Sequence, residues 1–482
     1  MIPTSTIAAP ATIPGTGAVS MVRVSGPDAL AIVDRIVTFK SGTAASSGGY
    51  TLKYGVIEDL DDVVVAIYRA PHSYTGEDAA EISCHASEYI VARLMQMLCD
   101  AGAVPASAGE FTRRAFVNGR MDLAQAEAVA DLIASANEAS HRVAMHQLRG
   151  GISAELEELR SKLLEVTSLI ELELDFSEED VEFASRSAVV ELIDSALAHI
   201  GSLTSSFRLG NAIKSGVPVA IVGATNTGKS TLLNALLGED RALVSPIAGT
   251  TRDTVEELFN IDGTAFRLID TAGIRDTADE VESMGIDRTY EKLLLADIVI
   301  HVLDINSPMS VMETAVKAIS SKLTSQKLVV VLNKADKAVS GLELAKVEAG
   351  ESSFGDFLSV NKIVTEINND VLLADFKGNV LVMSAKMLLG VEELKKLLSD
   401  TQKSRIADAG TATLVTSARH YNALCSASRA LTLARSSILS GTPVDLVSQD
   451  LREALYHLGT ITGAITTDEV LGQIFSKFCI GK

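Results

Sequence analysis

The chain has 482 residues, of which 47% are hydrophobic, and its 42 basic and 62 acidic side chains give a net charge of −20. This length predicts two to four domains, and the acidic balance argues against indiscriminate binding to nucleic acids. The four cysteines form no Cys-x-x-Cys pair, the first basic residue is Arg23, and Asp297 interrupts the apolar stretch 293–303. These features predict reduced thiols, no secretory signal and no membrane span, as in a cytoplasmic protein.

Four segments with different patterns follow one another along the chain. Residues 1–118 mix glycine, proline and short β-like runs, which predicts an α+β N-terminal domain. Residues 119–212 have helical spacing of apolar residues, 213–402 alternate apolar strands with glycine-containing loops, and 403–482 are helical again. Neither helical half can bury its apolar face alone. We therefore predict a multidomain α/β and α protein, in which the α/β segment 213–402 is inserted into a discontinuous helical domain.

The C-terminal segment carries two local signals. Thr466 and Glu469 match a capping box, which predicts a helix N-terminus there. An apolar stripe, which core packing explains most simply, is formed by Leu471, Ile474, Phe475 and Phe478. The apolar neighbours of Cys479 favour a buried, inert thiol, and a nucleophilic role remains the alternative.

Residues 223–230, Gly-Ala-Thr-Asn-Thr-Gly-Lys-Ser, match the G-x-x-x-x-G-K-[ST] pattern of a phosphate-binding loop. They follow the apolar run Val217–Val222 and precede the helix-forming segment Thr231–Leu237. The glycines allow backbone N–H groups to surround a β-phosphate at a helix N-terminus. We expect Lys229 to bind the β- and γ-phosphates and Ser230 to ligate Mg²⁺.

Two later segments have the form of nucleotide-binding motifs. The apolar strand 266–269 leads into Asp270-Thr271-Ala272-Gly273, which could hold Mg²⁺ through water and bind the γ-phosphate. The strand 328–332 leads into Asn333-Lys334-Ala335-Asp336. The carboxylate of Asp336 can accept both donors of the guanine edge, and adenine has no such donor pair.

A fourth motif completes the set. The strand 379–383 leads into Ser384-Ala385-Lys386, which resembles the loop behind the base in GTPases. Four motifs in this order predict a Ras-like P-loop G domain.

One residue that GTPases commonly use is absent. Ile274 stands where Ras-like enzymes place the glutamine that orients the attacking water. Glu280 and Glu282 lie just downstream and could orient it instead. Asn226 could ligate a monovalent cation that neutralises charge in the transition state, although a simple turn residue explains it equally well.

These residues resemble a known family. Asn226, Ile274, Glu282 and the sequence Gly-Thr-Thr-Arg-Asp at 249–253 resemble the potassium-activated GTPases. The sequence Ile-Phe-Ser-Lys-Phe-Cys-Ile-Gly-Lys at 474–482 resembles the signature of the MnmE (TrmE) family of tRNA-modification GTPases. Further blocks similar to that family are Val22–Gly26, Ser73–Asp78, Gly109–Phe116, Asp122–Ala128 and 458–463. The resemblance thus covers essentially the whole chain.

The resemblance implies an activity and its partners. The family works with an FAD-dependent protein, MnmG, to add a carboxymethylaminomethyl or aminomethyl group to C5 of the wobble uridine of certain tRNAs. The carbon would come from 5-formyl- or methylene-tetrahydrofolate. The resemblance also implies a homodimer through the N-terminal domain, a heterotetramer or larger assembly with MnmG, and no membrane.

The resemblance also implies the site residues. The folate would be bound by Arg23, Glu81, Arg120 and Lys482, although the first three also have an ordinary surface-charge interpretation. K⁺ would be ligated by Asn226, Ser245, Ile247 and Thr250, and Mg²⁺ by Ser230 and Thr251. Catalysis would depend on Glu282, Asn226 and Lys229. GTP would contact Asn226, Thr227, Gly228, Lys229, Ser230, Thr231, Ser245, Pro246, Ile247, Ala248, Gly249, Thr250, Thr251, Asp270, Thr271, Ala272, Gly273, Asn333, Lys334, Asp336, Ser384, Ala385 and Lys386.

Two rival functions and one departure from the family remain. A ribosome-assembly GTPase of the Era or EngA kind would need an RNA-binding module, and no Gly-x-x-Gly clamp in a basic setting occurs outside the nucleotide loops. A folate-dependent transferase with a vestigial G domain is the second rival. The connection between Asp336 and Ser384 is longer than is usual in the family, with an acidic stretch around residues 347–356.

Overall fold

The computed structural model of the chain describes residues 5–175, 186–238, 257–269, 293, 295–338, 379–409, 413–476 and 478–481. The chain forms two compact units. The first comprises Met1–Ala134, Ala144–Thr204 and Ala418–Lys482, and the second comprises Ser135–Val143 and Ser205–Ser417. The second unit interrupts the chain of the first, as an inserted G domain should. The domain boundaries after residues 118, 212 and 402 stay predictions.

The first unit begins with an antiparallel sheet and two helices. The elements are β1 (Ile7–Pro10), β2 (Gly17–Ser25), α1 (Ala29–Ile36), β3 (Thr38–Phe39), β4 (Thr51–Ile57), β5 (Asp61–Tyr68), β6 (Ala79–Ala86), α2 (Glu88–Asp100) and β7 (Val104–Pro105). The strand order is β3-β4-β5-β6-β2-β1-β7, and β1 and β7 are the parallel pair. Alternate strand residues, such as Val63, Val65 and Ile67 of β5, belong to a buried core that includes residues of α1 and α2. The opposite face of the sheet carries both Arg23 and Glu81.

Five helices follow the sheet. They are α3 (Glu110–Val117), α4 (Leu123–Ala134), α5 (Glu138–Leu148), α6 (Gly151–Asp175) and α7 (Arg186–Ser215). Asp122 and Gln125 cap the start of α4 reciprocally, at 2.8 and 3.0 Å between side-chain oxygen and backbone nitrogen. The Gln125 Nε2 also donates to the Leu148 carbonyl at 3.0 Å, which ties the start of α4 to the end of α5.

The second unit is built on a mainly parallel sheet. Its elements are β8 (Val217–Val222), α8 (Lys229–Leu237), β9 (Glu257–Ile261), β10 (Thr264–Leu268), β11 (Ile298–Asp304), α9 (Met309–Ser320), β12 (Lys327–Asn333), α10 (Ala335–Ala338), β13 (Asn379–Val382) and α11 (Val391–Ala409). The strand order is β13-β12-β11-β8-β10-β9, with only β9 antiparallel to its neighbour among the described strands. Helices α8 and α11 contribute to the core on one face, and α9 to the core on the other. The predicted strands and the α/β fold are confirmed, and the motif residues that the structure describes follow the carboxyl ends of the strands, where such sheets bind ligands.

The structure of the second unit shows how Asp297, the charged residue within the apolar stretch 293–303, is accommodated. Asp297, just before β11, is buried, and its Oδ1 accepts a hydrogen bond from Arg208 Nε at 2.6 Å. None of the described helices is long and apolar enough to cross a membrane.

Three helices complete the first unit: α12 (Ala418–Leu439), α13 (Val444–Thr462) and α14 (Asp468–Phe475). The predicted stripe is confirmed, since Leu471, Phe475 and Phe478 are buried against Leu123 of α4. The predicted cap at Thr466 is wrong by one residue. The N-cap is Thr467, whose side chain accepts from the Val470 N–H. The predicted burial of Cys479 is also wrong, because its side chain is exposed.

A buried charged cluster joins these helices to α4. Glu127 accepts from Arg419 Nε at 2.8 Å and lies 3.0 Å from His420 Nε2. Arg419 also donates to the carbonyls of Thr460 and Ile461 at the end of α13. Burial opposes the charge on Glu127, but the hydrogen bonds from His420 and Arg419 prevail and lower its pKa to about 2.

Candidate nucleotide site and a second pocket

The phosphate loop connects β8 to α8, and its backbone conformation requires the residues found there. Gly223 has φ of 154° and Gly228 has φ of 98°, both in the region that favours glycine. A Cβ on Gly228 would lie 2.2 Å from the Asn333 amide nitrogen, so no larger residue fits. Asn226 has φ of 61°, a conformation that asparagine tolerates better than most residues. The loop is therefore closely fitted to the neighbouring strand ends.

The side chain of Lys229 lies against the phosphate loop. Its Nζ donates to the carbonyls of Gly223 and Ala224, at 2.9 and 2.8 Å. Burial lowers the pKa of Lys229. The Thr227 hydroxyl donates to the Ala224 carbonyl at 3.0 Å, which stiffens the same turn. An ammonium group is thus placed among the loop residues, where a phosphate chain would need positive charge.

Asn333 joins the loop to the segment that follows β13. Its side chain is buried, its Nδ2 donates to the Thr227 carbonyl at 2.9 Å, and its Oδ1 accepts from the Ala385 N–H at 3.0 Å. One amide therefore connects three predicted motifs through both of its polar atoms.

Asp336 and Lys334, which belong to the same motif as Asn333, are also positioned by hydrogen bonds. Ser384 Oγ donates to Asp336 Oδ1 at 2.7 Å, which orients the carboxylate that we expect to bind guanine. Lys334 has φ of 66° and donates from Nζ to Asp304 Oδ2 at 2.8 Å. Burial would raise the pKa of Asp304, but the hydrogen bonds from Lys334 and Asn306 outweigh it and lower the pKa. Asp304, at the end of β11, is a site residue that sequence reasoning missed.

Several predicted residues do not gain a described role. Ser230 is half-buried in α8, and Thr231 and Lys386 are exposed. The predicted ligands and switch residues 245–251, 270–273 and 282, and most of the long connection after Asp336, lie outside the described residues. The Mg²⁺ site, the K⁺ site and the role of Glu282 therefore stay predictions.

The first unit contains a separate pocket on the face of its sheet that carries Arg23 and Glu81. The cavity has a volume of about 150 Å³ and is lined by Arg23, Tyr68, Tyr74, Thr75, Ala79 and Glu81. Arg23 donates from Nε and Nη2 to Glu81 Oε1 at 2.9 and 2.8 Å. The Tyr68 hydroxyl donates to Glu81 Oε2 at 3.2 Å. Burial is the main cause that raises the pKa of Tyr68, and the Glu81 charge adds to it.

Arg23 is fixed by aromatic rings and by a distant part of the chain. Its guanidinium carbon lies 5.3 Å from the Tyr74 ring centre and 5.5 Å from that of Phe111. Its Nη1 donates to the Gly481 carbonyl at 3.3 Å. Gly109 N–H donates to the Cys479 carbonyl at 3.4 Å, so residues 479–481 lie beside the pocket.

Comparison with models of known protein families shows which family the chain resembles. The description "GTP-binding protein TrmE N-terminus" matches residues 6–120, and "MnmE helical domain" matches residues 123–479, well over half of the chain. The chain belongs to the MnmE family.

Relatives from two organisms match the chain over nearly all of its length. A protein named "tRNA modification GTPase MnmE" from Parabacteroides distasonis is 46% identical over 486 residues, with 99% of this chain and 100% of the relative covered. A protein of the same name from Bacteroides thetaiotaomicron is 47% identical over 493 residues, with 99% of each covered. The G domain of the T. maritima FeoB iron transporter is 26% identical over 40% of this chain and 98% of that chain, with a TM-score of 0.23.

Of the predicted folate residues that the structure describes, it brings Arg23 and Glu81 together and leaves Arg120 outside the cavity. Arg23 and Glu81 form the ion pair of the pocket. Arg120 is exposed and does not line the cavity, although its side chain packs beside Gly76 of the adjoining loop. Lys482 lies outside the described residues. The lining residues Tyr68 and Tyr74 were missed, although Tyr74 lies within one of the blocks that resemble the family.

Proposed function

We propose that this MnmE-family chain hydrolyses GTP and uses it to modify the wobble uridine of tRNA. The proposal rests on the side-chain amide of Asn333, whose hydrogen bonds connect the phosphate loop to both segments that we expect to bind guanine. The names of the relatives supply tRNA modification as the purpose. A ribosome-assembly GTPase of the Era or EngA kind is not favoured, because the family match extends to the N-terminal and helical parts.

Loss of Lys229 tests this function. Lys229→Ala should abolish GTP hydrolysis, since the ammonium stabilises charge that develops on the phosphate oxygens. Nucleoside mass spectrometry of tRNA from cells that carry this variant should show loss of the C5 modification. Lys337→Ala, an exposed lysine just after the guanine motif, is the matched control. Persistence of the modification in Lys229→Ala would favour a transferase with a vestigial G domain.

The chain's own residues supply most of the hydrolytic machinery. Lys229 would exchange its contacts with the Gly223 and Ala224 carbonyls for phosphate oxygens. Ser230 and Thr251 would ligate Mg²⁺, which supplies charge neutralisation when bound. Glu282 would orient the water that attacks the γ-phosphorus, because Ile274 cannot form hydrogen bonds through its side chain.

K⁺ is the proposed second cation. Asn226 would ligate it, together with Ser245, Ile247 and Thr250, beside the phosphates. Hydrolysis should therefore be far slower in Na⁺ than in K⁺, and Asn226→Ala should reduce the difference. Asn234→Ala, which removes an exposed asparagine of α8 outside the predicted site, is the control. Equal rates in the two salts would exclude the K⁺ site.

The pocket of the first unit is proposed to bind a tetrahydrofolate. A pterin ring presents N–H donors that suit a carboxylate such as Glu81, and the rings of Tyr68 and Tyr74 offer apolar surface for it. Arg23 could bind an anionic or carbonyl group of the same ligand. Arg120 and Lys482 would bind the ligand from outside the described cavity.

Calorimetry with 5-formyl-tetrahydrofolate tests the pocket. Glu81→Gln keeps the shape of the side chain but removes the charge, and a charge-assisted hydrogen bond is worth about 1.5–3 kcal/mol. The affinity should therefore fall by roughly ten- to a hundredfold. Glu88→Gln, at an exposed position of α2, should have no effect. Equal affinities for both variants would contradict the folate assignment.

The face of the first unit's sheet that carries Arg23 and Glu81 is proposed to pack against the same face of a second copy of the chain. Leu52 and Tyr54 of β4 and Val64 of β5 are 73%, 42% and 42% exposed on that face, next to one another in the register. A contiguous apolar surface of this kind commonly marks a protein interface. The MnmG-type FAD protein would join this homodimer in a heterotetramer or larger assembly, and a cytoplasmic location stays a prediction.

Light scattering of the purified chain tests the homodimer. Tyr54→Glu places a charge in the proposed interface and should shift the mass from dimer to monomer. Tyr89→Glu changes an equally aromatic residue of α2, which is 71% exposed, and should leave the dimer intact. An unchanged mass in Tyr54→Glu would place the interface elsewhere.

A further inference from the structure

Two exposed cations lie at the junction between α4 and α5, close to the proposed folate pocket. Arg120 precedes α4, and Arg149 follows α5. Their chain neighbours Met121 and Leu148 pack against the same apolar cluster. Gln125 bridges the two helix ends through its bond to the Leu148 carbonyl. The packing therefore places Arg120 and Arg149 on either side of one hydrogen-bonded corner.

Arg120 connects this corner to the pocket. A Cβ on Gly76 would lie 3.2 Å from Arg120 Cγ, so the arginine stem packs against the loop that contains Gly76. The same loop supplies Tyr74 and Thr75 to the cavity. The aliphatic stem of Arg120 thus lies beside a loop that lines the pocket.

His146 lies near Arg149, at the end of α5. It lies three residues before Arg149, which follows the last residue of α5, and both side chains are exposed. A Cβ on Gly151 would lie 2.1 Å from His146 Cε1, so the imidazole packs against bare backbone. His146 and Arg149 are called the basic track below.

Several other exposed cations of the helical part are paired with acidic side chains. Lys162, Arg435 and Arg452 each bind an acidic partner, namely Glu158, Asp194 and Glu171. Among the described residues, Arg120, His146 and Arg149 form no ion pair. In a chain with a net charge of −20, cations left without acidic partners are available to a polyanion.

We propose that Arg149, with His146 as a neighbouring hydrogen-bond donor, binds phosphates of the tRNA substrate and guides the RNA toward the pocket of the first unit, where Arg120 remains a folate residue. The inference rests on the proposed function, which makes that pocket the source of the transferred carbon. Arginine suits phosphate because its planar donors match the phosphate oxygens, and backbone contacts position an RNA without reading its sequence. Few contacts on an acidic protein give weak binding with a shallow dependence on salt.

Charge reversal at Arg149 tests the proposal in the full-length chain. The probe is an unmodified tRNA transcript with uridine at the wobble position, and its affinity is measured at several salt concentrations. Arg149→Glu should weaken binding about tenfold near 0.1 M salt and lower the slope of log K against log salt by about 1, as expected for one lost phosphate contact. Arg149→Lys should retain most of the binding, because it keeps the charge.

Arg93→Glu is the matched control. Arg93 is an exposed arginine of α2, which contributes to the core on the other face of the sheet, and it has no ion pair among the described residues. The control should bind tRNA as the unchanged protein does. GTP hydrolysis without tRNA should be the same in all variants, and circular dichroism should report the same helix content.

The outcomes separate the basic track from the pocket. Unchanged tRNA affinity and salt slope in Arg149→Glu, an equal loss in Arg93→Glu, or no tRNA binding by the unchanged chain would each overturn the proposal. A drop in 5-formyl-tetrahydrofolate affinity that matches the drop for tRNA would overturn it too, because Arg149 would then act through the pocket. Failure of the unchanged protein to bind the folate, with tRNA binding still dependent on Arg149, would refute the pocket and leave the basic track standing.

Discussion

Replacing His301 with leucine should stabilise the second unit, and the gain should grow as the pH falls. His301 lies in the middle of β11, paired in register with Val222 and Val330. Its side chain is 3% exposed, and its Nδ1 has no hydrogen-bond partner among the described residues. Burial lowers the pKa of His301 from 6.5 to about 4. The folded unit therefore resists a proton that the unfolded chain accepts readily.

The size of the effect follows from the two pKa values. Between pH 6.5 and 4 the unfolded state binds more protons than the folded state, so stability rises with pH in this window. The loss of unfolding free energy caused by the lowered pKa of His301 is small at pH 7 and about 2 kcal/mol at pH 5. Below pH 4 the loss reaches its full value of about 3 kcal/mol. At pH 7 leucine should still gain roughly 1 kcal/mol, because it removes an unpaired buried nitrogen.

Urea unfolding at pH 7 and pH 5 measures this difference. The relevant transition is the one that GDP shifts to higher urea, since the nucleotide binds only the folded second unit. The unfolding free energy of the natural protein should fall by about 2 kcal/mol more than that of His301→Leu between the two pH values. His141→Leu removes an exposed histidine of the same unit and should behave like the natural protein. Equal pH dependence in the natural protein and His301→Leu would refute the reasoning.

Three further substitutions test other parts of the structure. Glu127→Gln should lower the unfolding free energy of the first unit by about 3 kcal/mol at pH 7, because His420 and Arg419 favour the charged form of Glu127. In the natural protein this contribution should disappear as the pH falls from 4.5 to about 2. Denaturant unfolding at pH 7 and at pH 3 would measure both effects. Gly228→Ala should weaken GDP binding at least tenfold in calorimetry, because the added Cβ would meet the Asn333 amide and the φ of 98° at position 228 disfavours alanine. Gly263→Ala, in an open turn with φ of 79°, should leave the GDP affinity unchanged. Asp336→Asn should lower GTP affinity by about a hundredfold or more and raise affinity for xanthosine triphosphate, because the amide presents a donor where the carboxylate accepted; fluorescence titration with both nucleotides would decide.

Local patterns predicted the nucleotide-binding unit well. The phosphate loop, its flanking strand and helix, and the strands before Asn333 and Ser384 could be recognised because each is set by a short run of residues. The contacts among them could not be read in the same way. The bond between Asn333 and Thr227 joins residues 106 positions apart, and only the assembled sheet brings their segments together.

The pocket of the first unit was less accessible to prediction. Arg23 and Glu81 pair because β2 and β6 align them directly, and strand register is not evident from sequence. Tyr68 reads as an ordinary strand aromatic, and nothing local marks it as a lining residue. At the last helix, Thr466 and Thr467 are equally able to cap, so the sequence could not choose between them. Cys479 has apolar neighbours, but Ile480 is itself 64% exposed, so apolar sequence did not mean burial there.

The hydrogen bond from Arg23 to the Gly481 carbonyl spans 458 positions of the chain, and it has a consequence for biosynthesis. The strands that carry Arg23 and Glu81 leave the ribosome early, but the carbonyl that completes the arginine's surroundings is translated only after the whole nucleotide-binding unit. A nascent chain can thus form its first sheet long before this pocket is finished. Ligand capture should accordingly be a late event in the maturation of each polypeptide, rather than an aid to the folding of its first domain.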